Sequence, residues 1–247
     1  MLLDYLEALN EANSIEDLWT LHTQTMATFG FDRLLYGFTQ FRSAHSFGDR
    51  EDVLVLTNHD NSYSDPFVND LYFHAPMVRW ATENVGACSW SWMTDHADAL
   101  TESERKVVAF NRKMGVVAGY TISFREVSVR AKGAIALTAR PGMSQADADA
   151  IWAEHGRMIV QMNNVAHLKI TNLPFSTARK RLTKRQREAL EWVGDGKTTQ
   201  DIAVIMGLTP ATVEKHLRLA REVLDVETTA QAVLKASFQN QIFVLEA

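Results

Sequence analysis

Cysteine is nearly absent from this chain. With one cysteine in 247 residues, Cys88, no internal disulfide or thiolate metal cage can form, and no second thiol can resolve a redox sensor. Cys88 is read as a small buried residue. Five prolines and twelve glycines are too few for a collagen-like or low-complexity chain, and no internal repeat is visible. No apolar run approaches the ~18 residues of a membrane span. Met1-Leu2-Leu3-Asp4 has neither the basic start nor the apolar run of a signal peptide. A cytoplasmic location and no membrane partner are therefore expected.

Catalytic signatures are missing too. The eight histidines are scattered, with no His-Glu-x-x-His pair, no Gly-x-Ser-x-Gly elbow and no Gly-x-Gly-x-x-Gly turn. Gly194-Asp195-Gly196-Lys197-Thr198 looks like the end of a phosphate loop, but the first glycine of that pattern falls at Glu191 and no strand precedes it. Glu102 and Glu104 sit at a helix start, where the macrodipole already favours carboxylates. No enzyme, metal site or cofactor is expected.

What remains is an ordinary globular composition, 46% apolar and 22% charged, long enough for two domains. The formal charge of −5 is unevenly placed: residues 1–175 carry −7 and residues 176–247 carry +2. In the back segment the cations bunch as Arg179, Lys180, Arg181, Lys184, Arg185 and Arg187, then Lys197, Lys215, Arg218 and Arg221. Such a run is either a solvated surface or a face for a polyanion.

A linker is read over 171–181, where Asn172-Leu173-Pro174 ends a helical pattern. It separates a front domain, 1–170, from a back domain, 182–247. In front, Ile15 to Phe29-Gly30 has helical spacing, and residues 34–41 and 53–57 read as strands. A short helix follows from Asp65 to Phe73. Thr101 and Glu104 form a capping box for a helix ending near Met114. Residues 117–124 and 133–139 read as further strands, and Ser144 to Ile170 is a long helix with a stripe of Ile151, His155, Met158, Ile159, Met162 and Val165. The expected class is α+β: a front α/β/α sandwich around a mainly antiparallel sheet, with an all-α back domain of four helices.

Local signals in the back domain define its helices. Thr183 and Gln186 form a capping box, and Gly194-Asp195-Gly196 stops the helix that follows. Thr198 caps a second helix ending at Gly207. Thr209 caps a third, with Pro210 at the first helical position, where its missing N–H costs nothing. Residues 198–217 thus read as a helix-turn-helix, whose second helix enters a DNA major groove. With Lys215 as origin, Val213, Leu217, Ala220 and Leu224 cluster on the opposite side and form the core face. Ala211, Thr212, Lys215, Arg218 and Leu219 face outward, Arg221 flanks them, and Glu214 is expected to point away. Lys197, Thr198 and Thr199 complete the candidate DNA contacts.

The pattern Leu182-Thr183-x-Arg185-x-x-Glu188-x-Leu190-x-Trp192, Gly196-Lys197-Thr198-x-x-Asp201-Ile202-Ala203, Thr212-Val213-x-x-His216-Leu217 and Ala232-Val233 resembles the LuxR-type helix-turn-helix domain. Two departures stand out: Gln186 where the family usually has Glu, and Thr229 where it often has Arg. Gln still completes a capping box, whereas loss of the Arg removes one charge contact.

The front domain resembles the acyl-homoserine-lactone-binding partner of that domain. Pro76 and Trp90 keep the spacing of two signature residues, and Gly115-Val116-Val117-Ala118-Gly119-Tyr120-Thr121 looks like the family's glycine-rich lead-in to a pocket strand. In the family an Asp before the proline accepts from the ligand amide, and an upstream Trp and Tyr contact the lactone and the amide carbonyl. Here Ala75 precedes Pro76, Tyr63 takes the tyrosine position and Phe67 the tryptophan position. The resemblance places the ligand site at Tyr36, Tyr63, Phe67, Tyr72, His74, Ala75, Trp90, Thr121 and Thr138, with His74 a candidate substitute for the missing carboxylate. Three readings stay open: an acyl-homoserine lactone held by rearranged partners, a different and more apolar molecule, or a filled core.

Together these features imply a DNA-binding transcriptional regulator of the quorum-sensing LuxR type. It is expected to act as a homodimer on a roughly palindromic double-stranded operator and to answer a small-molecule signal. The competing readings are an antagonist that heterodimerises with a related regulator, and a ligand-independent regulator.

Overall fold

The computed structural model describes residues 2–42, 52–174 and 181–243. The chain divides into two compact units, one comprising 1–12 and 16–170, the other 13–15 and 171–247. No helix among the described residues is long and apolar enough to cross a membrane.

The first unit is built on a five-stranded sheet in the order β2-β1-β5-β4-β3, antiparallel throughout. Its strands are β1 (Phe31–Thr39), β2 (Val53–Thr57), β3 (Gly86–Ser89), β4 (Gly119–Ser123) and β5 (Lys132–Ala139). Helices α1 (Leu2–Glu11), α2 (Ile15–Thr28) and α7 (Gln145–Asn172) pack together. Tyr5 donates its hydroxyl proton to the Met162 carbonyl, and His22 on α2 meets Asn163 on α7 at 3.0 Å. The other helices are α3 (Asn61–Asn69), α4 (Pro76–Glu83), α5 (Ser91–Asp95) and α6 (Glu102–Lys113), with a 3-10 turn at Leu71–His74 between α3 and α4.

Strand period decides which side chains meet which layer. Along β1, Leu34, Tyr36 and Phe38 are buried, and Tyr36 reaches His167 of α7. Leu35 and Gly37 face the opposite way. Their partners Ala136 and Ala134 share that side, and so does Thr121, opposite Ala136 on β4. Tyr120 points back to α7 and stacks on Trp152, centroids 3.8 Å apart. Gly119 opens β4 at φ +155°, where an added Cβ would lie 2.1 Å from the Leu137 carbonyl oxygen.

The expected sandwich is present, with differences in detail. Helices α1, α4 and α5 and the edge strand β3 were not expected. The sequence Gly86-Ala87-Cys88-Ser89 has no apolar alternation; its place is fixed by pairing with β4. The helix expected over 65–73 starts earlier, where Asp60 accepts from the Ser62 amide, and stops at Asn69 before the 3-10 turn. On α7 the buried positions are Ala148, Gly156, Ile159, Met162, Asn163, Ala166, His167 and Ile170, whereas Ile151, His155, Met158 and Val165 of the expected stripe are only half-buried. The polar members Asn163 and His167 are tolerated because each has partners: Asn163 bonds His22 and the Ile159 carbonyl, and His167 bonds Tyr36.

The second unit is four helices: α8 (Lys184–Gly194), α9 (Thr199–Met206), α10 (Pro210–Leu224) and α11 (Thr229–Phe238). Reciprocal capping boxes start α8 at Thr183/Gln186, α9 at Thr198/Asp201 and α11 at Thr228/Gln231. Each satisfies two orphan backbone groups. Gly207 ends α9 in the left-handed conformation, φ +65°. Thr209 then caps α10, with Pro210 in its first turn. Leu190, Ile202, Val213, Ala220, Leu224 and Ala232 are each 0% exposed and join the four helices in one core.

Candidate functional site

Two sites emerge, one in each unit. In the first, the β1 side chains turned away from α7 do not pack shut against α3, α4 and α6. Leu35 and Gly37 of β1 and Ala134 and Ala136 of β5 are small or short, and above them lies a cavity of about 110 Å³. One water needs only ~10–15 Å³, so this is room for a molecule rather than a packing fault. The lining is mostly aliphatic and aromatic, and among its described residues none is Asp, Glu, Lys or Arg.

Seven of the nine residues expected at the ligand site line this cavity. Tyr63 and Phe67 come from α3, one turn apart, and stack on each other with centroids 5.4 Å apart. Tyr72 comes from the 3-10 turn and Ala75 from the start of α4. Trp90 closes the end of β3; Thr121 and Thr138 stand on β4 and β5. The other two lie elsewhere. Tyr36 is on the opposite face of β1, because a one-residue step along a strand reverses the side chain. His74 is exposed at the end of the 3-10 turn and does not reach the cavity, so it does not stand in for a carboxylate beside Ala75.

Three polar pairs punctuate the lining. The Trp90 indole N–H donates to Thr121 Oγ1 at 2.9 Å. The Tyr63 hydroxyl donates to Asn111 Oδ1 at 3.3 Å. His59 Nε2 stands 3.4 Å from Thr138 Oγ1, and its ring lies against Tyr63, centroids 4.5 Å apart. Burial, then the nearby Arg33 cation, lower the His59 pKa to about 4, so the imidazole is neutral near pH 7. Burial raises the Tyr63 phenol well above its ordinary value. Sequence reasoning missed His59 and Asn111. His59 follows β2 in a loop, and Asn111 lies on α6 among charged neighbours; neither carries a pattern that marks a cavity.

The second site is the outer face of α10. Val213, Leu217, Ala220 and Leu224 are at most 3% exposed, which turns Ala211, Lys215 and Arg218 to solvent, with Thr212 and Arg221 half-buried beside them. Arg218 pairs with Glu222 one turn on, and Arg221 donates to the Thr229 hydroxyl at 2.7 Å. The family's frequent arginine is thus replaced by a hydroxyl that anchors an arginine from α10. Lys197 is exposed before α9. The Thr198 hydroxyl is occupied by the cap, donating to Asp201 Oδ2 at 2.6 Å. Glu214 does not point away as expected: it accepts from Thr199 Oγ1 at 3.0 Å, beside the α9 N-terminus, where the helix dipole favours a carboxylate.

Residues 14–170 match the "Autoinducer binding domain" family and residues 180–236 match "Bacterial regulatory proteins, luxR family". The chain is 24% identical to the transcriptional activator protein AnoR of Acinetobacter nosocomialis over 94% of this chain and 95% of that one. It is 31% identical to the quorum sensing-dependent regulator RpaR of Rhodopseudomonas palustris, covering 65% of this chain and 63% of that one. Its fold is similar to that of SdiA, a protein of Escherichia coli, in complex with octanoyl-rac-glycerol: TM-score 0.54, 16% identity, 97% of this chain and 92% of that chain. The chain belongs to the LuxR family of quorum-sensing transcriptional regulators, with an autoinducer-binding domain followed by a helix-turn-helix DNA-binding domain.

Proposed function

We propose that the front domain, residues 1–170, senses a small amphipathic molecule in the cavity above β1, β4 and β5 and supports homodimerisation. Residues 171–181 link it to a DNA-binding domain, 182–247, and the protein works in the cytoplasm. A twofold dimer offers two recognition helices, so the operator is roughly palindromic, with half-sites about one helical turn, ~10 bp, apart. Ligand acts by mass action on the state that presents α10.

The observation that carries the DNA half of this reading is the division of α10: an apolar face of Val213, Leu217, Ala220 and Leu224 in the core, and Ala211, Lys215 and Arg218 outside it. A short side chain flanked by two cations suits base edges and phosphates. Thr212, Arg221, Lys197, Thr198 and Thr199 frame that face, with Thr198 acting through its cap. The sensory half rests on the cavity, which argues against a filled core, and on Tyr63, Phe67, Tyr72, Ala75, Trp90, Thr121 and Thr138 around it. The acyl-glycerol complex of SdiA supports an acyl-chain occupant.

Footprinting on the chain's own promoter region, with and without acyl-chain compounds, tests both halves together. Twofold-symmetric protection that strengthens with ligand is expected. A protein that melts cooperatively but protects no site would instead favour the heterodimeric antagonist.

A further inference from the structure

The three polar pairs in the cavity differ in what they leave over for a ligand. Indole is a donor only, so Thr121 Oγ1 is obliged to accept from Trp90 and its own hydrogen is left to donate elsewhere. Asn111 accepts the Tyr63 proton through Oδ1, which leaves its NH₂ as a donor. The acceptors along the lining are neutral: the Tyr63 and Tyr72 phenol oxygens, the Thr138 hydroxyl and whichever His59 nitrogen carries no proton. Ala75, 5% exposed and lining the cavity, supplies no polar side-chain atom.

Among the described residues no ionised side chain lines the space, so a charged head would leave water without a counter-charge. An amide N–H would find only neutral acceptors, weaker than a carboxylate. A carbonyl oxygen matches the donors that Thr121 and Asn111 have left over. Resting on the sensory reading above, we propose that the cavity selects an uncharged acyl compound ending in a hydrogen-bond acceptor with no amide N–H, a ketone or an ester, and that Thr121 and Asn111 are the donors that read its oxygen.

The test uses purified full-length protein and four probes of one chain length: an acyl-homoserine lactone, its analogue with the amide N–H replaced by CH₂, the free fatty acid, and the long-chain alcohol. Calorimetric affinities are compared. The ketone analogue is expected to bind at least as tightly as the amide, and the fatty-acid anion at least ten-fold more weakly than the ketone. Ala75→Asp adds an acceptor and should shift the amide-to-ketone preference ten-fold or more toward the amide. Thr121→Val should weaken the ketone about ten-fold, with Thr121→Ser restoring it. Because Thr121→Val also strips a partner from Trp90, Asn111→Leu provides an independent loss of the second donor.

A wild-type protein that prefers the amide ten-fold, or takes the carboxylate as tightly as the ketone, overturns the proposal. So does a chain that binds the alcohol but none of the acyl heads, and in that case the sensory reading stands. If even the alcohol fails to raise the melting temperature of a cooperatively folding protein, the sensory reading falls with it.

Discussion

The phenol of Tyr36 lies 2.9 Å from Nδ1 of His167, inside the layer between the sheet and α7. The other ring nitrogen of His167, Nε2, lies 3.0 Å from Glu126 Oε1 without the alignment of a hydrogen bond. This polar chain sits beneath β1 while the ligand cavity sits above it, so one strand separates fold maintenance from recognition. Tyr36→Phe removes the hydroxyl and leaves a buried imidazole nitrogen without that partner. A loss of roughly 1–3 kcal/mol in denaturant unfolding is expected. The ligand-induced rise in melting temperature should be unchanged in the variant; a reduced rise would place Tyr36 in recognition after all.

Lys215 and Arg218 are exposed on α10, so neither holds the core. Lys215→Ala and Arg218→Ala should each weaken operator binding about ten-fold at fixed salt, the scale of one lost base or phosphate contact. Where the lost contact is to phosphate, the slope of log K against log salt falls by about one. Thermal melts should match the parent, since truncating Arg218 removes only an exposed pair with Glu222. Gel shifts over a salt series measure both effects, and unaltered affinity would remove α10 from the groove.

Gly119 is held at φ +155° with no space for a side chain. Gly119→Ala would drive a methyl carbon to 2.1 Å from the Leu137 carbonyl oxygen, and both atoms belong to paired backbones that cannot yield separately. The expected result is loss of several kcal/mol and accumulation as insoluble chain, read by soluble yield and by circular dichroism of whatever remains. A variant as stable as the parent would mean that the β4–β5 register is other than described.

Two buried histidines make stability depend on pH. Burial lowers His22 to about 4, partly opposed by its bond to Asn163, and burial with Arg33 lowers His59 to about 4. The unfolded values lie near 6.5. As pH falls through 6.5 the unfolded chain takes up protons before the folded one does. The contribution of both groups is therefore whole above pH 6.5, is lost down to about pH 4, and changes no further below that. Each is worth about 3 kcal/mol. Urea titrations at pH 7.5, 6, 5 and 4.5 should show this slope, and His59→Gln should reduce it by about half. An unchanged slope would mean His59 is solvated.

How much could be read beforehand varied with the range of the forces involved. Capping boxes, the Gly207 stop and the Pro210 start are short-range chemistry, and Thr183, Thr198 and Thr209 appeared where their side chains dictated. The apolar face of α10 followed from period alone. By contrast β3 exists because β4 offers it hydrogen bonds, and nothing in Gly86-Ala87-Cys88-Ser89 announces that partner. The resemblance placed His74 and Tyr36 at the ligand site, yet the end of the 3-10 turn leaves the first in solvent and strand alternation puts the second behind the sheet.

The sequence by itself determined the two-part organisation, the helix starts and stops of the DNA-binding unit and the side of α10 that must be buried, because periodicity and capping act within a few residues. Only the tertiary structure decided that small residues on β1 and β5 leave a cavity and that His59 and Asn111 reach it. Those outcomes depend on which atoms from distant segments converge, and convergence is a property of packing that no local pattern encodes.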